Sequence, residues 1–304
     1  MKNLLFIIIT NLTAAATIGQ TAEEYFKRAV TKDSLKDYRG AVANYNKVIE
    51  FEPENAEAYN NRGIARHMLH NYNEAIADFN KAIELNPKLA KSYFNRGASK
   101  DELNNPAGAI NDYNSAIELD PNYAKAYSNR GTSKHRLQDY KGAIADLNKA
   151  IELDPNNAVT YNNRGTSKKS MQNYKGAMED FTQAIEIDHD QAALSYTNRG
   201  LTKIILNEIK SAIDDFGEAI EIDPTYTYAY LNRGISKAKL ENHRGAVSDF
   251  SKVIEIDPEN TVALFNRGIS KMQIKQNESG CLDLNKAKKA GYRDAVEAVR
   301  QYCR

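Results

Sequence analysis

The short motifs of catalysis are missing from this chain of 304 residues: it has no Gly-rich phosphate loop and no nucleophilic Ser or Cys motif. That excludes the common routes to an enzyme, and the sequence is read as non-enzymatic, without cofactor or metal. An excess of either charge is missing as well. With 41 basic against 40 acidic residues, no overall field steers the chain to nucleic acid or to an anionic membrane. Long apolar runs are scarce. The N-terminal run from Leu4 to Ile9 breaks at Thr10 and Asn11, far short of the about 20 residues that a membrane-spanning helix needs.

That N-terminus, MKNLLFIIITNLTAAATIGQ, has one Lys, an apolar stretch and then small residues. It reads as an export signal over residues 1–19, cleaved before Gln20, with a cut before Thr17 as the alternative. The short leader and Gln start resemble those of exported proteins of Gram-negative bacteria. The expectation is a periplasmic or extracellular protein with no transmembrane segment in the mature chain. A buried N-terminal helix is the competing reading.

From Ala22 to Asp294 the chain repeats itself with a period of 34 residues. Eight units follow: 22–55, 56–89, 90–123, 124–157, 158–192, 193–226, 227–260 and 261–294, the fifth with one extra residue near DHDQAAL. Within a unit, two stretches of helix-period apolar residues flank a short polar break, as in Tyr59 to Leu69 and Ala75 to Leu85 around HNYN. Each unit is therefore two short helices, A and B, and neither is long enough to be stable alone. Stacking on neighbours supplies the rest.

Counting positions from the first residue of each unit, position 8 is Gly in units two to eight, and position 20 is Ala in units one to seven. Gly inside a helix costs roughly 1 kcal/mol against Ala, so its recurrence calls for a close helix approach. Position 24 is large and apolar, from Tyr45 and Phe79 to Leu284. Six of the seven prolines stand at position 32, where they are expected to stop helix B; the fifth unit has His189 there, so the joint between units five and six is the expected irregularity.

An aromatic at position 4, Gly or Ala at 8, Ala at 20, an aromatic at 24, Ala at 27 and Pro at 32 resemble the tetratricopeptide repeat family. The resemblance implies an all-α solenoid, a right-handed superhelix of antiparallel helix pairs with the A helices along its concave face. It also implies binding of a protein or peptide partner there.

Position 7 is Arg in every unit, position 23 is Asp in units two to eight, and position 11 is always basic. A repeated Arg–Asp ion pair follows, because guanidinium suits bidentate pairing with a carboxylate. The competing reading, a basic stripe along a phosphate backbone, has no interleaved aromatic pattern to support it. Position 6 carries Asn61, Asn95, Asn129, Asn163, Asn198, Asn232 and Asn266, which face the groove in the family. A row of amides offers donors and acceptors to the main chain of an extended peptide; bonding to the next helix is the structural alternative. The Lys and Arg that let some family members clamp a terminal carboxylate are absent from positions 5 and 6, so chaperone-tail binding is not expected.

The other groove positions change along the chain. Units two to four carry polar groups such as Glu57, His67, Lys91, Asp101, Glu102, His135 and Arg136. Units six to eight carry Leu201, Ile204, Ile205, Tyr228, Leu231, Ile235, Phe265 and Ile269. Contiguous apolar surface marks an interaction site, so this half is expected to take an apolar segment of a partner, unless these residues bury one another.

After the eighth unit one further helix is expected from near Asp294, a cap over residues 295–304 with Ala295, Ala298, Val299 and Tyr302 on one side. Cys281 and Cys303 invite a disulfide in an exported chain, with two buried thiols as the alternative. His67 and His135 share position 12 but stand two units apart, too far to share a metal. The leading functional reading is an exported scaffold for a protein partner. The alternative is a binder of an envelope glycan or peptidoglycan fragment, which wants aromatic platforms, whereas most tyrosines fall on packing positions 4 and 17.

Overall fold

The computed structural model describes residues 21–303, and the expected signal over residues 1–19 lies outside them. The chain divides into two compact units, Met1–Leu153 and Asp154–Arg304. The described part of the first holds four helical hairpins: α1 (Ala22–Ser34) with α2 (Tyr38–Phe51), α3 (Ala56–Met68) with α4 (Tyr72–Leu85), α5 (Ala90–Glu102) with α6 (Pro106–Leu119), and α7 (Ala124–Arg136) with α8 (Tyr140–Leu153). The second holds α9 (Ala158–Ser170) with α10 (Tyr174–Ile187), α11 (Ala193–Ile205) with α12 (Ile209–Ile222), α13 (Thr227–Lys239) with α14 (His243–Ile256), and α15 (Thr261–Gln273) with α16 (Asn277–Lys289), followed by α17 (Arg293–Tyr302). Within each unit every B helix also packs on the next A helix, and A helices touch directly at α3 with α5, α5 with α7, α9 with α11 and α13 with α15. The A helices therefore form the inner side of each stack.

The hairpin turns have a cause that composition conceals. Two residues after helix A ends, position 15 is in the left-handed region, with φ between 58° and 64° at Lys36, His70, Asn104, Gln138, Gln172, Asn207, Glu241 and Lys275. The amide of the following residue reaches back five positions, as from Asn71 N to Arg66 O at 2.9 Å, and closes the last turn. Helix B then starts at a capping side chain: Asp37, Asn105, Asp139, Asn173 and Asn242 each accept from the amide three residues on. That third residue is Gly in all five cases, and a Cβ there would press on the cap within 2.1 to 2.8 Å. Where it is Glu74, Ser211 or Ser279 instead, the side-chain cap bond is missing.

Close packing accounts for the Gly at position 8. A Cβ on Gly63 would lie 2.6 Å from Phe79, and one on Gly165 would lie 2.7 Å from Phe181. The partner rings, Phe79, Tyr113, Phe181, Phe216 and Phe250, are fully buried.

One expectation about the prolines is corrected. Helix α10 ends at Ile187, position 30 of its unit, as the B helices that precede a proline do, although His189 replaces Pro. The capping residue Asp188 is extended, φ −143°, much like Asp120 at −136° before Pro121. Proline is therefore not needed to stop helix B. What changes is the joint itself: residues His189–Gln191 form a 3-10 turn that absorbs the extra residue.

At the C-terminus α17 begins at Arg293 and seats Ala295 and Ala298 on the last hairpin, whereas Tyr302 is exposed. Cys281 on α16 and Cys303 after α17 are joined in a disulfide with Cα atoms 5.5 Å apart, the arrangement that the sequence left open against free thiols.

Candidate functional site

The recurring residues hold the stack together. Arg62 donates from Nε and Nη2 to both oxygens of Asp78, at 3.0 and 2.6 Å, and Arg66 adds a third bond at 2.7 Å. The same bidentate pair recurs at Arg96–Asp112, Arg130–Asp146, Arg164–Asp180, Arg199–Asp215, Arg233–Asp249 and Arg267–Asp283. From position 11, Lys100, Lys134, Lys168, Lys203, Lys237 and Lys271 reach the same carboxylates. Burial raises the pKa of the Asp283 carboxyl, and the hydrogen bonds from Arg267 and Lys271 outweigh it, so the net displacement is downward. Each Arg from Arg62 to Arg233 also lies over the position-4 tyrosine of its own helix, with Arg62 5.2 Å from the Tyr59 ring centre.

A further bond of the same Arg was not foreseen. Its Nη1 donates to position 25 of the preceding hairpin: Arg62 to Asn46, Arg96 to Asn80, Arg130 to Asn114, Arg199 to Thr182 and Arg267 to Ser251. The signal was in the sequence, as a polar residue recurring at position 25. Its exception is Gly217, where Arg233 meets only a bare backbone and an added Cβ would stand 3.8 Å from its Nη1. The Arg thus ties helix A to its own helix B and to the previous one.

The asparagines of position 6 are half-buried and engaged within the chain. Asn95 and Asn198 donate to the buried amides of Asn60 and Asn162 on the preceding A helix. Asn61 accepts from Asn60 and, like Asn129, lies within hydrogen-bonding reach of a position-24 tyrosine hydroxyl, Tyr45 and Tyr113 respectively. Asn163 is engaged too. Asn232 and Asn266 bond only to a carbonyl one turn back in their own helices, Tyr228 O and Val262 O.

In the first unit the inner face holds a polar cleft of about 550 Å³, lined by His67, Asp101, Glu102, Tyr113, Asn129 and Arg136 among others. Asp101 is its anchor. It accepts from the Tyr113 hydroxyl at 2.9 Å, from Ser133 Oγ at 2.6 Å and from Arg136 at 3.2 Å. Burial still pushes its carboxyl above the usual carboxylate range, against those bonds, and raises Tyr113 as well. His67 shares a 2.9 Å bond with Ser99 Oγ, and burial pushes its imidazole down.

In the second unit the inner face is apolar. Tyr228, Ile235 and Ile205 are 47%, 40% and 53% exposed, while Leu201, Ile204, Leu231 and Ile269 are half-buried. Phe265 is partly taken up by the end of the chain: its ring lies 4.9 Å from that of Tyr292, in a cluster with Leu264, Ala287 and Ala295.

A stack of helical hairpins with an inner face of variable residues defines the class of the α-solenoids. Models described as tetratricopeptide repeat match residues 56–89, 124–157, 158–191, 193–226 and 227–260, and a TPR repeat model matches 34–70 and 102–138. The chain belongs to the tetratricopeptide repeat family, whose members serve as scaffolds that bind protein or peptide partners. Among solved structures, a tetratricopeptide repeat protein from Parabacteroides merdae is similar at 21% identity, over 83% of this chain and 99% of that one, with a TM-score of 0.65. The pilF protein of Pseudomonas aeruginosa is similar at 18% identity over 68% and 94%, with a TM-score of 0.60. MamA matches at 25% over 58% and 96%, with a TM-score of 0.50. No curated protein matches the chain in sequence. Among the described residues no helix is long and apolar enough to cross a membrane.

Proposed function

We propose that this protein is an exported, non-enzymatic scaffold that holds a partner protein through an extended segment laid across its A helices. The observation that carries the reading is the exposed apolar surface on successive A helices of the second unit, at Ile205, Tyr228 and Ile235. Side chains of this kind gain about 25 cal/mol per Å² on being covered, and large exposed apolar patches are otherwise avoided. Leu201, Ile204, Leu231, Phe265 and Ile269 flank them and complete the surface. Of the asparagine row, Asn232 and Asn266 are the free-handed members, since turning to a partner's main chain would cost them only a bond to their own helix. A glycan platform is disfavoured because the position-4 tyrosines already carry an Arg on one face. Export rests on the leader sequence.

A photo-cross-linker placed at Ile235, and in a second sample at Glu255 on α14, tests the reading in the native host. Capture of one protein from Ile235 and not from Glu255 is expected. Equal capture from both sites, or none from either, would remove the inner face as the binding surface.

A further inference from the structure

The inner face of the second unit carries a charge pattern as well as an apolar one. None of its four repeat A helices, α9, α11, α13 and α15, contains an Asp or a Glu. Their cations are almost all committed to the position-23 aspartates of the B helices, Arg from position 7 and Lys from position 11. Two lysines are left over, Lys169 on α9 and Lys239 on α13, and among the described residues neither has a carboxylate partner.

Lys169 stands at position 12, the place that Asp101 holds two units earlier. Around Asp101 the repeat supplies Tyr113, Ser133 and Arg136. The residues at the corresponding repeat positions for Lys169 are Phe181, Thr202 and Ile205. The tyrosine hydroxyl is gone, so the ammonium has only the face of the Phe181 ring, 5.9 Å from its centre. The Thr202 hydroxyl donates to Asn198 O. The arginine has become an exposed isoleucine. Burial lowers the Lys169 pKa, and no neighbouring charge works against it. A half-buried cation without an anion is costly to keep, whereas methionine or leucine would fit such a place at no such cost.

We propose that the second unit's inner face binds an extended, acidic and aliphatic segment of a partner protein, with side-chain carboxylates on Lys169 and Lys239 and an aliphatic residue between them on Ile205. The proposal rests on the reading of this face as a protein-binding groove. Its spacing follows from geometry. Neighbouring helices stand about 8 to 10 Å apart, and an extended chain advances about 3.3 Å per residue. One hairpin is therefore crossed in about three residues, which gives the order acid, two residues, aliphatic, two residues, acid. Side-chain carboxylates are specified over a chain terminus because Lys169 is recessed beside Phe181, and a side chain with one or two methylenes reaches it where a main-chain end does not.

The test is selection of a random peptide library displayed on phage against the purified full chain, followed by titration of a selected peptide and its Glu→Gln version. Peptides with two acids about six residues apart around an aliphatic residue are expected, with about tenfold weaker binding for Glu→Gln or for Lys169→Met. Lys169→Met is expected to raise the melting temperature of the free protein by about 2 °C, and Lys239→Met, at an exposed site, serves as a second variant that leaves folding untouched. Peptides selected without acidic preference, or with a preference unchanged in both variants, would overturn the charge pattern and leave the groove standing. No enrichment of any peptide would overturn both. Binding to phosphatidylglycerol vesicles that Lys169→Met abolishes, with no acidic peptide selected, would assign the ammonium to a lipid headgroup and overturn the peptide.

Discussion

Asp101 in the first unit and Lys169 in the second stand at the same position of the repeat, each on the inner face of its own unit, next to a large residue of the neighbouring B helix. Asp101 is surrounded by the Tyr113, Ser133 and Arg136 donors, which satisfy its carboxylate from within the chain. Lys169 has only the ring of Phe181 beside it, with Ile205 at the repeat position that Arg136 holds near Asp101, and its ammonium has no anion within the described chain. Beneath both sites runs an unchanged frame, Arg96–Asp112 and Arg164–Asp180 with the same 2.6 Å contact. Repetition in this molecule holds the hairpins, and chemistry is free to change only at the positions that the frame does not use.

The sharpest way to break this comparison is to attack the frame in both units. Asp112→Ala and Asp215→Ala each leave a half-buried Arg and Lys unpaired, and each is expected to cost about 3 to 5 kcal/mol in urea unfolding. A loss confined to one unit would mean that the frame is not shared. Reduction of the Cys281–Cys303 bridge comes next and separates the units, since only the second contains it. Opening this loop of about 22 residues is expected to lower the second unit's stability by about 3 kcal/mol. Hydrogen exchange with and without reductant reads it: faster exchange in α16 and α17 with residues 22–153 unaffected. Smallest are the two missing rungs, one in each unit. Gly217 gives Arg233 no acceptor, and Ala65 leaves Asp33 Oδ1 buried without a partner where units three to eight carry a hydroxyl at that position. Gly217→Asn and Ala65→Ser are each expected to add about 1 kcal/mol, seen as a raised urea midpoint.

The frame was largely legible in the sequence because its contacts repeat with the period. Arg at position 7 with Asp at 23, and Gly at 8 with a ring at 24, recur together, and the structure places them against each other. Position 25 escaped because its partner Arg lies on the following hairpin, so the partnership of its Asn, Thr and Ser with Arg shows only when two hairpins are stacked. The left-handed turn residue escaped for a different reason. Lys36, His70, Gln138 and Glu241 share a backbone angle and no side-chain chemistry, and none is the Gly that such an angle favours. On the inner face the drift from polar to apolar was readable residue by residue. What was not readable is that Asn95 and Asn198 reach back to Asn60 and Asn162, because that bond depends on how closely neighbouring A helices approach.

The most direct measurement exchanges one site for the other. Lys169→Asp, Phe181→Tyr and Ile205→Arg together give the second unit the chemistry of the first while leaving every rung of the frame in place. Affinity for the partner captured through Ile235 is then titrated alongside urea unfolding of the free protein. The account predicts a urea midpoint close to that of the unchanged chain and partner binding weaker by at least about tenfold. Unchanged affinity in a folded protein would contradict it.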